Sequence, residues 1–422
     1  MSLERSISPV SYHFSSDNVS DSRPFLGGAI DVICLHDISN PSSILSCSPF
    51  WVQFGTISFR KACGRTVFLE INGIQTGIPL LLDANGVAAF YTDIPPETTQ
   101  TEQVIPEPSS DEDVYQNQVS HDRLSPPETV SSVGDLLITE NTLTPFSVNP
   151  CAVESVKNKS ARMVWGKSGK YLPSCSIMRY LSKFLQPGPN RVKYYAMSRD
   201  FPKSREPRSS LGGFIYLWPA GRRAVVFDVD GTITSSDTFG FIFPSILRMG
   251  KFQRKGIVAV ANYIVQQGYL PIYLTMRGSA LAGKTRKYLQ RVVSEHHKRL
   301  PYGPVVTCSR GIIDSSAVSP AEYKAFALKS MSKSLNRVGL DVVSSPLFIV
   351  YGGFGNRDTD QQAYLETGIH SSRIFYFSSR ITTEDNGWRD YRELFKSGYL
   401  AGAFPLYVSE EEKSARIEQL EQ

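Results

Sequence analysis

The sequence lacks any long apolar run. No stretch approaches 18 consecutive apolar residues, which excludes a transmembrane helix. Residues 1–24 are polar and Ser-rich and have no apolar central region, so they do not read as a signal peptide. The six cysteines, Cys34, Cys47, Cys63, Cys151, Cys175 and Cys308, form no CxxC pair. Scattered through 422 residues, they read as reduced cytosolic thiols, not as a disulfide frame or zinc site. Charge of one sign is scarce in two places. Residues 97–140 hold ten acidic residues and one basic residue, Arg123. Residues 141–224 hold fifteen Lys and Arg against three acids. Such a basic block favours an anionic partner: nucleic acid, an acidic membrane surface or an acidic segment of the same chain.

What is present is enough for two or three domains, with 41% hydrophobic and 20% charged residues. Residues 1–24 show no periodicity and are expected to be disordered. The segment 25–92 has a β texture, with runs at 29–35, 51–54, 66–71 and 87–91 and turn signals at Asn72-Gly73 and Asn85-Gly86. About four strands are too few to close a sandwich, so this segment is expected to borrow strands from elsewhere. Residues 93–159 are rich in Pro, Ser, Thr and acids and read as a disordered linker. Their Ser/Thr sites suit kinases and phosphatases. Residues 160–221 supply candidate strands at 191–197 and 213–218 to complete the sheet. Residues 222–405 alternate strands and helices, as a doubly wound α/β domain does. Its expected strands are 224–227, 270–274, 305–306, 347–351 and 374–377, and its expected helices 254–267, 278–299 and 320–337. Residues 406–422 read as a charged helical tail.

The most informative stretch is Ala224-Val-Val-Phe-Asp-Val-Asp-Gly-Thr-Ile-Thr. A short buried strand ends in two carboxylates, Asp228 and Asp230, followed by Gly231 and Thr232. In open α/β sheets ligands bind outside the carboxyl ends of the strands. Two like charges this close repel unless a cation sits between them, and hard oxygen ligands suit Mg²⁺. A second strand candidate ends at Thr275, with Arg277 close behind. A third runs into Gly352-Gly353-Phe354-Gly355-Asn356-Arg357-Asp358-Thr359-Asp360, whose acids and Asn can complete an oxygen shell. Residues 248–255, with Arg248, Lys251, Arg254 and Lys255, form a basic-aromatic segment. It reads either as a solvated loop or as a surface that meets an anionic lipid layer.

The DxDGT strand resembles the first motif of the haloacid-dehalogenase superfamily of phosphohydrolases. The resemblance narrows to the lipin-type phosphatidate phosphatases. It rests on Gly28-Ala-Ile-Asp-Val-Ile, Cys47-Ser-Pro-Phe-Trp-Val-Gln-Phe-Gly, Glu70-Ile-Asn-Gly and Asp83-Ala-Asn-Gly. It rests equally on Gly213-Phe-Ile-Tyr-Leu-Trp leading into the DxDGT strand, on Gly303-Pro, and on Gly353-Phe-Gly-Asn-Arg-Asp-Thr-Asp. The resemblance implies an immunoglobulin-like sandwich built from two separated segments beside a Rossmann-like catalytic domain. It implies Asp228 as nucleophile and Asp230 as general acid/base, with Thr232, Thr275, Arg277 and Lys324 on the phosphate. Lys329 and Lys333 share the expected helix, and Lys324 is preferred on the resemblance alone. It implies Mg²⁺ held by Asp228, Asp230, Asn356 and Asp360. The implied reaction converts phosphatidic acid to diacylglycerol by a cytoplasmic protein held peripherally at the endoplasmic reticulum or nuclear envelope, with no nucleic acid involved. The family usually begins with an amphipathic helix, whereas residues 1–24 contain Pro9, Pro24 and many Ser and show none. Two alternatives stand beside this reading: a non-catalytic phosphatidate sensor on the same fold, and a phosphoprotein phosphatase.

An electrostatic membrane contact would be screened by salt, because the Debye length falls to about 3 Å at 1 M ionic strength. Binding to phosphatidate-containing liposomes is therefore expected to drop steeply as salt is raised, and to strengthen when 97–140 is deleted. Salt-independent binding to neutral liposomes would count against the basic block as the contact.

Overall fold

The computed structural model describes residues 27–54, 64–83, 86–90, 138–139, 142–143, 171–197, 207–235, 253–294, 296–308, 319–338, 341–342, 346–377 and 388–407. The first segment contributes β1 (Gly28–Ala29), β2 (Val32–His36), β3 (Ile44–Cys47), β4 (Val52–Gln53), β5 (Thr66–Ile71), β6 (Ile74–Leu82) and β7 (Ala88–Phe90). Asn72-Gly73 joins β5 to β6 as a two-residue hairpin loop, with Ile71 opposite Ile74. Strand β6 escapes a reading by pattern because Gly77 and Pro79 interrupt it. A short ladder, β8 (Ile138–Thr139) with β9 (Thr142–Leu143), lies within the stretch expected to be a linker. The rest of that stretch, the first 24 residues and the tail after 407 lie outside the described residues.

After helix α1 (Cys175–Leu181), strands β10 (Gly188–Met197) and β11 (Pro207–Pro219) pair along ten positions and insert into the middle of the first segment. The seven-stranded order is β3-β2-β11-β10-β5-β6-β7. Strand β10 runs antiparallel to β5, and β11 runs parallel to β2. Strand β4 pairs with β1 and touches the opposite edge through a bridge between Gln53 and Val87, so the sheet curls round its own core. That core gathers Val32, Cys34, Leu69, Leu80, Val192, Tyr194 and Leu217, all at 1% exposure or less.

The second sheet is parallel, ordered β14-β13-β12-β17-β18. Its strands are β12 (Arg223–Asp228), β13 (Leu270–Gly278), β14 (Val305–Cys308), β17 (Ile349–Gly355) and β18 (Ile374–Tyr376). A small ladder of β15 (Arg337–Val338) and β16 (Asp341–Val342) precedes β17. The period of two along β12 sends Ala224 and Val226 to one face and Val225 and Phe227 to the other. Helices α4 (Pro320–Leu335) and α5 (Asp358–Glu366) pack on the first face. The second face is covered by α2 (Ile257–Gln266), α3 (Ala282–Leu289), α6 (Tyr391–Lys396) and α7 (Tyr399–Ala403). The first face also receives Ile33, Trp51, Tyr216 and Trp218 from the curled sheet, so one apolar cluster fuses the two halves.

Helix 278–299 is shorter than expected. Gly278 ends β13, a 3₁₀ turn spans Ser279–Leu281, and only Ala282–Leu289 is α-helical. Beyond it, the Ser294 hydroxyl accepts from the main-chain N–H groups of His296 and Lys298, a local bond that competes with helix. The helix expected from 254 begins at Ile257, and the one expected to reach 337 ends at Leu335. The glycine-rich stretch expected to be a turn after a strand at 347–351 instead continues β17 to Gly355, and helix α5 begins at Asp358.

Expressing residues 160–422 alone removes the strands flanking β10 and β11 and the β3, β5 and β6 share of the core. The product is expected to aggregate. Soluble, fully active protein from that truncation would show that the first segment is dispensable for folding.

Candidate active site

Asp228 is the last residue of β12, placed opposite Leu274 of β13. Its neighbour Phe227 is fully buried and stacks on Phe354 of β17 at 4.8 Å between ring centroids. Packing of these rings fixes the strand ends where the polar side chains emerge. Gly231 carries φ +85°, which an L side chain would adopt only with strain. Its N–H donates to the Thr234 hydroxyl at 2.8 Å, which tightens the turn. Arg254 Nε donates to the Gly231 carbonyl at 2.7 Å.

Helix α4 starts with a capping box, Ser319 with Glu322, and has Pro at its first position. One turn in, Lys324 Nζ donates to Asp228 Oδ1 at 2.7 Å and to Asp360 Oδ1. Asp360 stands in the first turn of α5, where the helix dipole favours an acid. Its Oδ2 accepts from the main-chain N–H groups of Asn356 (3.0 Å) and Arg357 (3.1 Å). Thr232 Oγ1 lies 3.3 Å from Asp228 Oδ2 and 3.5 Å from Asn356 Oδ1. Asp230 faces another way. Its carboxylate accepts from Thr275 Oγ1 at 2.8 Å and from Arg277 Nε and Nη2 at 3.1 and 2.6 Å. Arg277 Nη1 donates to Thr285 Oγ1 at 3.3 Å.

Burial pushes Asp228 up to about 8, opposed by the Lys324 ammonium and reinforced by Asp360 and Asp230. Burial also works against the Lys324 charge, yet the two carboxylates outweigh it and hold that pKa above the ordinary lysine value. Two crowded carboxylates on a single ammonium leave room for a further positive charge. The donors around them, Asp228, Asp360 and the Asn356 amide, are hard oxygens that suit Mg²⁺. Among the described residues no three His, Cys, Asp or Glu side chains cluster as a metal group. The Asp230 carboxylate is turned toward Arg277, which leaves only its main-chain oxygen for a cation.

The fold thus brings together Asp228, Thr232, Lys324, Asn356 and Asp360 in one cluster, with Asp230, Thr275 and Arg277 as an adjoining one. Arg248 and Lys251 lie outside the described residues. Lys255 is exposed, whereas Arg254 is partly buried against the turn at Gly231. Two contributors carried no sequence signal: Tyr391, whose hydroxyl donates to the Gly355 carbonyl at 3.1 Å, and Thr285 beneath Arg277.

Fold and site define an α/β protein with a strand-end aspartate held against a buried lysine. A family model described as LNS2 (Lipin/Ned1/Smp2) matches residues 176–398, more than half of the chain. A second, the lipin N-terminal conserved region, matches residues 5–109. The chain belongs to the lipin family. It is 33% identical over 199 residues to phosphatidic acid phosphohydrolase 1 of Saccharomyces cerevisiae, covering 44% of this chain and 22% of that protein. It is 28% identical over 326 residues to phosphatidate phosphatase LPIN2 of Mus musculus, covering 76% of this chain and 34% of that one. The matched region of phosphatidate phosphatase PAH1 of Arabidopsis thaliana, at 32% identity, covers 39% of this chain and 18% of the relative. The chain thus spans only a minor part of the length of these relatives.

Removing one partner of a buried ion pair costs about 3–5 kcal/mol, because the other charge is left unpaired. Lys324→Met is expected to lower the unfolding free energy by about that much in denaturant titration. A loss of less than about 1 kcal/mol, the worth of an exposed pair, would mean that water reaches the carboxylates.

Proposed function

We propose that the chain is a Mg²⁺-dependent phosphatidate phosphatase of the haloacid-dehalogenase type, acting on phosphatidic acid at a membrane surface. The observation that carries the reading is the Asp228–Lys324–Asp360 cluster at the carboxyl ends of the parallel strands, in a chain of the lipin family. The curled sheet is read as the family's immunoglobulin-like module, on the strength of its two-segment composition. The protein is read as cytoplasmic and peripheral to the endoplasmic reticulum or nuclear envelope. Kinases and phosphatases that act on the acidic stretch are its proposed regulators. No helix among the described residues is long and apolar enough to cross a membrane.

Asp228 acts as nucleophile: its carboxylate oxygen attacks phosphorus and forms an aspartyl-phosphate as the diacylglycerol oxygen departs. Asp230 in its protonated form gives that proton to the departing oxygen and, then a carboxylate, takes one from the water that hydrolyses the acyl phosphate. Lys324 and the Thr232 hydroxyl hold the phosphoryl oxygens, since phosphoryl transfer depends mainly on positioning and charge neutralisation; Thr275 and Arg277, expected on the phosphate as well, are engaged by Asp230. Asp228, the Asp230 main-chain carbonyl, Asn356 and Asp360 would hold Mg²⁺, which supplies charge neutralisation at the phosphate.

The test is phosphate release from phosphatidate, lysophosphatidate, diacylglycerol pyrophosphate and phosphopeptides, with Mg²⁺ and with a chelator. Phosphatidate is expected to be hydrolysed, and chelation to stop the reaction. Asp228→Asn keeps the volume but removes the anionic nucleophile, and is expected to abolish turnover in a folded protein. Asp230→Asn is expected to slow it by on the order of 10²–10⁴. Near-native hydrolysis by Asp228→Asn would overturn the assignment. Phosphatidate binding without phosphate release by the native protein would favour the sensor alternative.

A further inference from the structure

Among its described residues the first segment donates no side chain to the carboxylate cluster, yet it grips the stretch that carries Arg277 at two points. At the near end, β1 lies against the 3₁₀ turn. A Cβ on Gly28 would stand 1.7 Å from the Ser279 carbonyl oxygen, so only glycine permits this approach. The Ser279 hydroxyl donates to Gln53 Oε1 of β4 at 3.2 Å. At the far end, Arg286 of α3 meets Asp31 between β1 and β2, with Nε 2.7 Å from Oδ1. Both side chains are buried, at 8% and 0% exposure. The same carboxylate accepts from the main-chain N–H groups of Phe214 (2.8 Å) and Val305 (2.9 Å). Arg286 Nη1 donates to the Gly212 carbonyl (3.0 Å) and Nη2 to that of Ala29. One ion pair thus ties β2, β11, β14 and α3 together. Thr285, next to Arg286 and fully buried, accepts from Arg277, whose other nitrogens hold Asp230.

We infer that Asp31 and Arg286 are positioning residues for the reaction: through Thr285 they fix Arg277 and so aim the Asp230 carboxylate. The physical argument is one of tolerance. Arg277 sits after a register break in β13, between Leu274 and Gly278, where no regular ladder constrains the chain. A long guanidinium side chain there needs its backbone held from outside the strand. The clamp at Ser279 and Arg286 does this, and Thr285 holds the guanidinium itself. Misplacement of a catalytic group by about 1 Å can cost on the order of 10²-fold in rate without changing substrate binding. The inference rests on the phosphatase reading for its kinetic form and on geometry alone for the clamp.

The experiment is a double-mutant cycle on phosphatidate hydrolysis, run with the full chain well below its melting temperature. Asp31→Asn is expected to lower kcat by on the order of 10–100-fold with KM nearly unchanged. In an Arg277→Ala background the same substitution should cost little more, because contacts that act through one group are not additive. Thr285→Val leaves the Asp31–Arg286 pair intact and cuts the link from the other side; it should reproduce the kcat loss and the same non-additivity. It also serves as the readout should Asp31→Asn fail to fold. Losses that multiply in the double variants, or native kcat in folded Thr285→Val, overturn the inference. Hydrogen exchange supplies a readout free of turnover: residues 277–286 should exchange faster in Asp31→Asn. If the native protein releases no phosphate, the phosphatase reading alone fails. Native-like exchange over 277–286 in Asp31→Asn then overturns the clamp.

Discussion

A lysine ammonium between two buried carboxylates is the constraint to which the α/β half is fitted. Asp228 is 2% exposed, Asp360 fully buried and Lys324 5% exposed, so none of the three charges can turn to water. Taking a charge out of water costs several kcal/mol unless partners replace the hydration. Every neighbouring element contributes to that replacement. Strand β12 ends at Asp228, the capped start of α4 brings Lys324, and the main chain before α5 donates to Asp360. The aromatic stack of Phe227, Phe354 and Phe375 lies beneath and fixes the spacing of the strand ends.

The two carboxylates of the DxD stretch have separate surroundings. Asp228 lies in a dry cluster with a second acid, where burial raises its affinity for a proton. Asp230 lies at 22% exposure in a fork of Arg277. Asp228 closes β12, whereas Asp230 stands in the turn beyond the strand's end, and the two side chains go to different partners.

Much of this was legible in the order of residues. The buried strand before Asp228, the strand before Thr275 and the approach to Asn356 could be read because a short apolar run followed by polar residues has few other meanings in an alternating α/β chain. Asn72-Gly73 fixed its hairpin for a local reason as well. What could not be read depends on distant partners. Asp31 looks like a polar break in an apolar run, and its meaning comes from Arg286, 255 positions later. Helix α5 hides behind glycines that serve close packing: a Cβ on Gly353 would meet the Tyr364 ring at 2.6 Å. Arg254 looked like part of a surface run, yet its guanidinium reaches the Gly231 carbonyl, which composition cannot reveal.

Phe50 and Trp51 carry a consequence for how this chain can vary in length. Phe90, the last residue of β7, packs edge-on to Phe50 at 5.1 Å between ring centroids. Tyr171, where the described chain resumes before α1, packs edge-on to Trp51 at the same distance, and its carbonyl accepts from the Phe50 N–H. Its hydroxyl donates to Asp83 at 2.9 Å. Residues 91–170 thus leave and return at two adjacent aromatic seats. Loop-closure entropy grows only with the logarithm of length, about 0.6 kcal/mol per doubling. The distance in sequence between the two halves of the curled sheet is therefore nearly free to drift, while the seats that receive its ends are not.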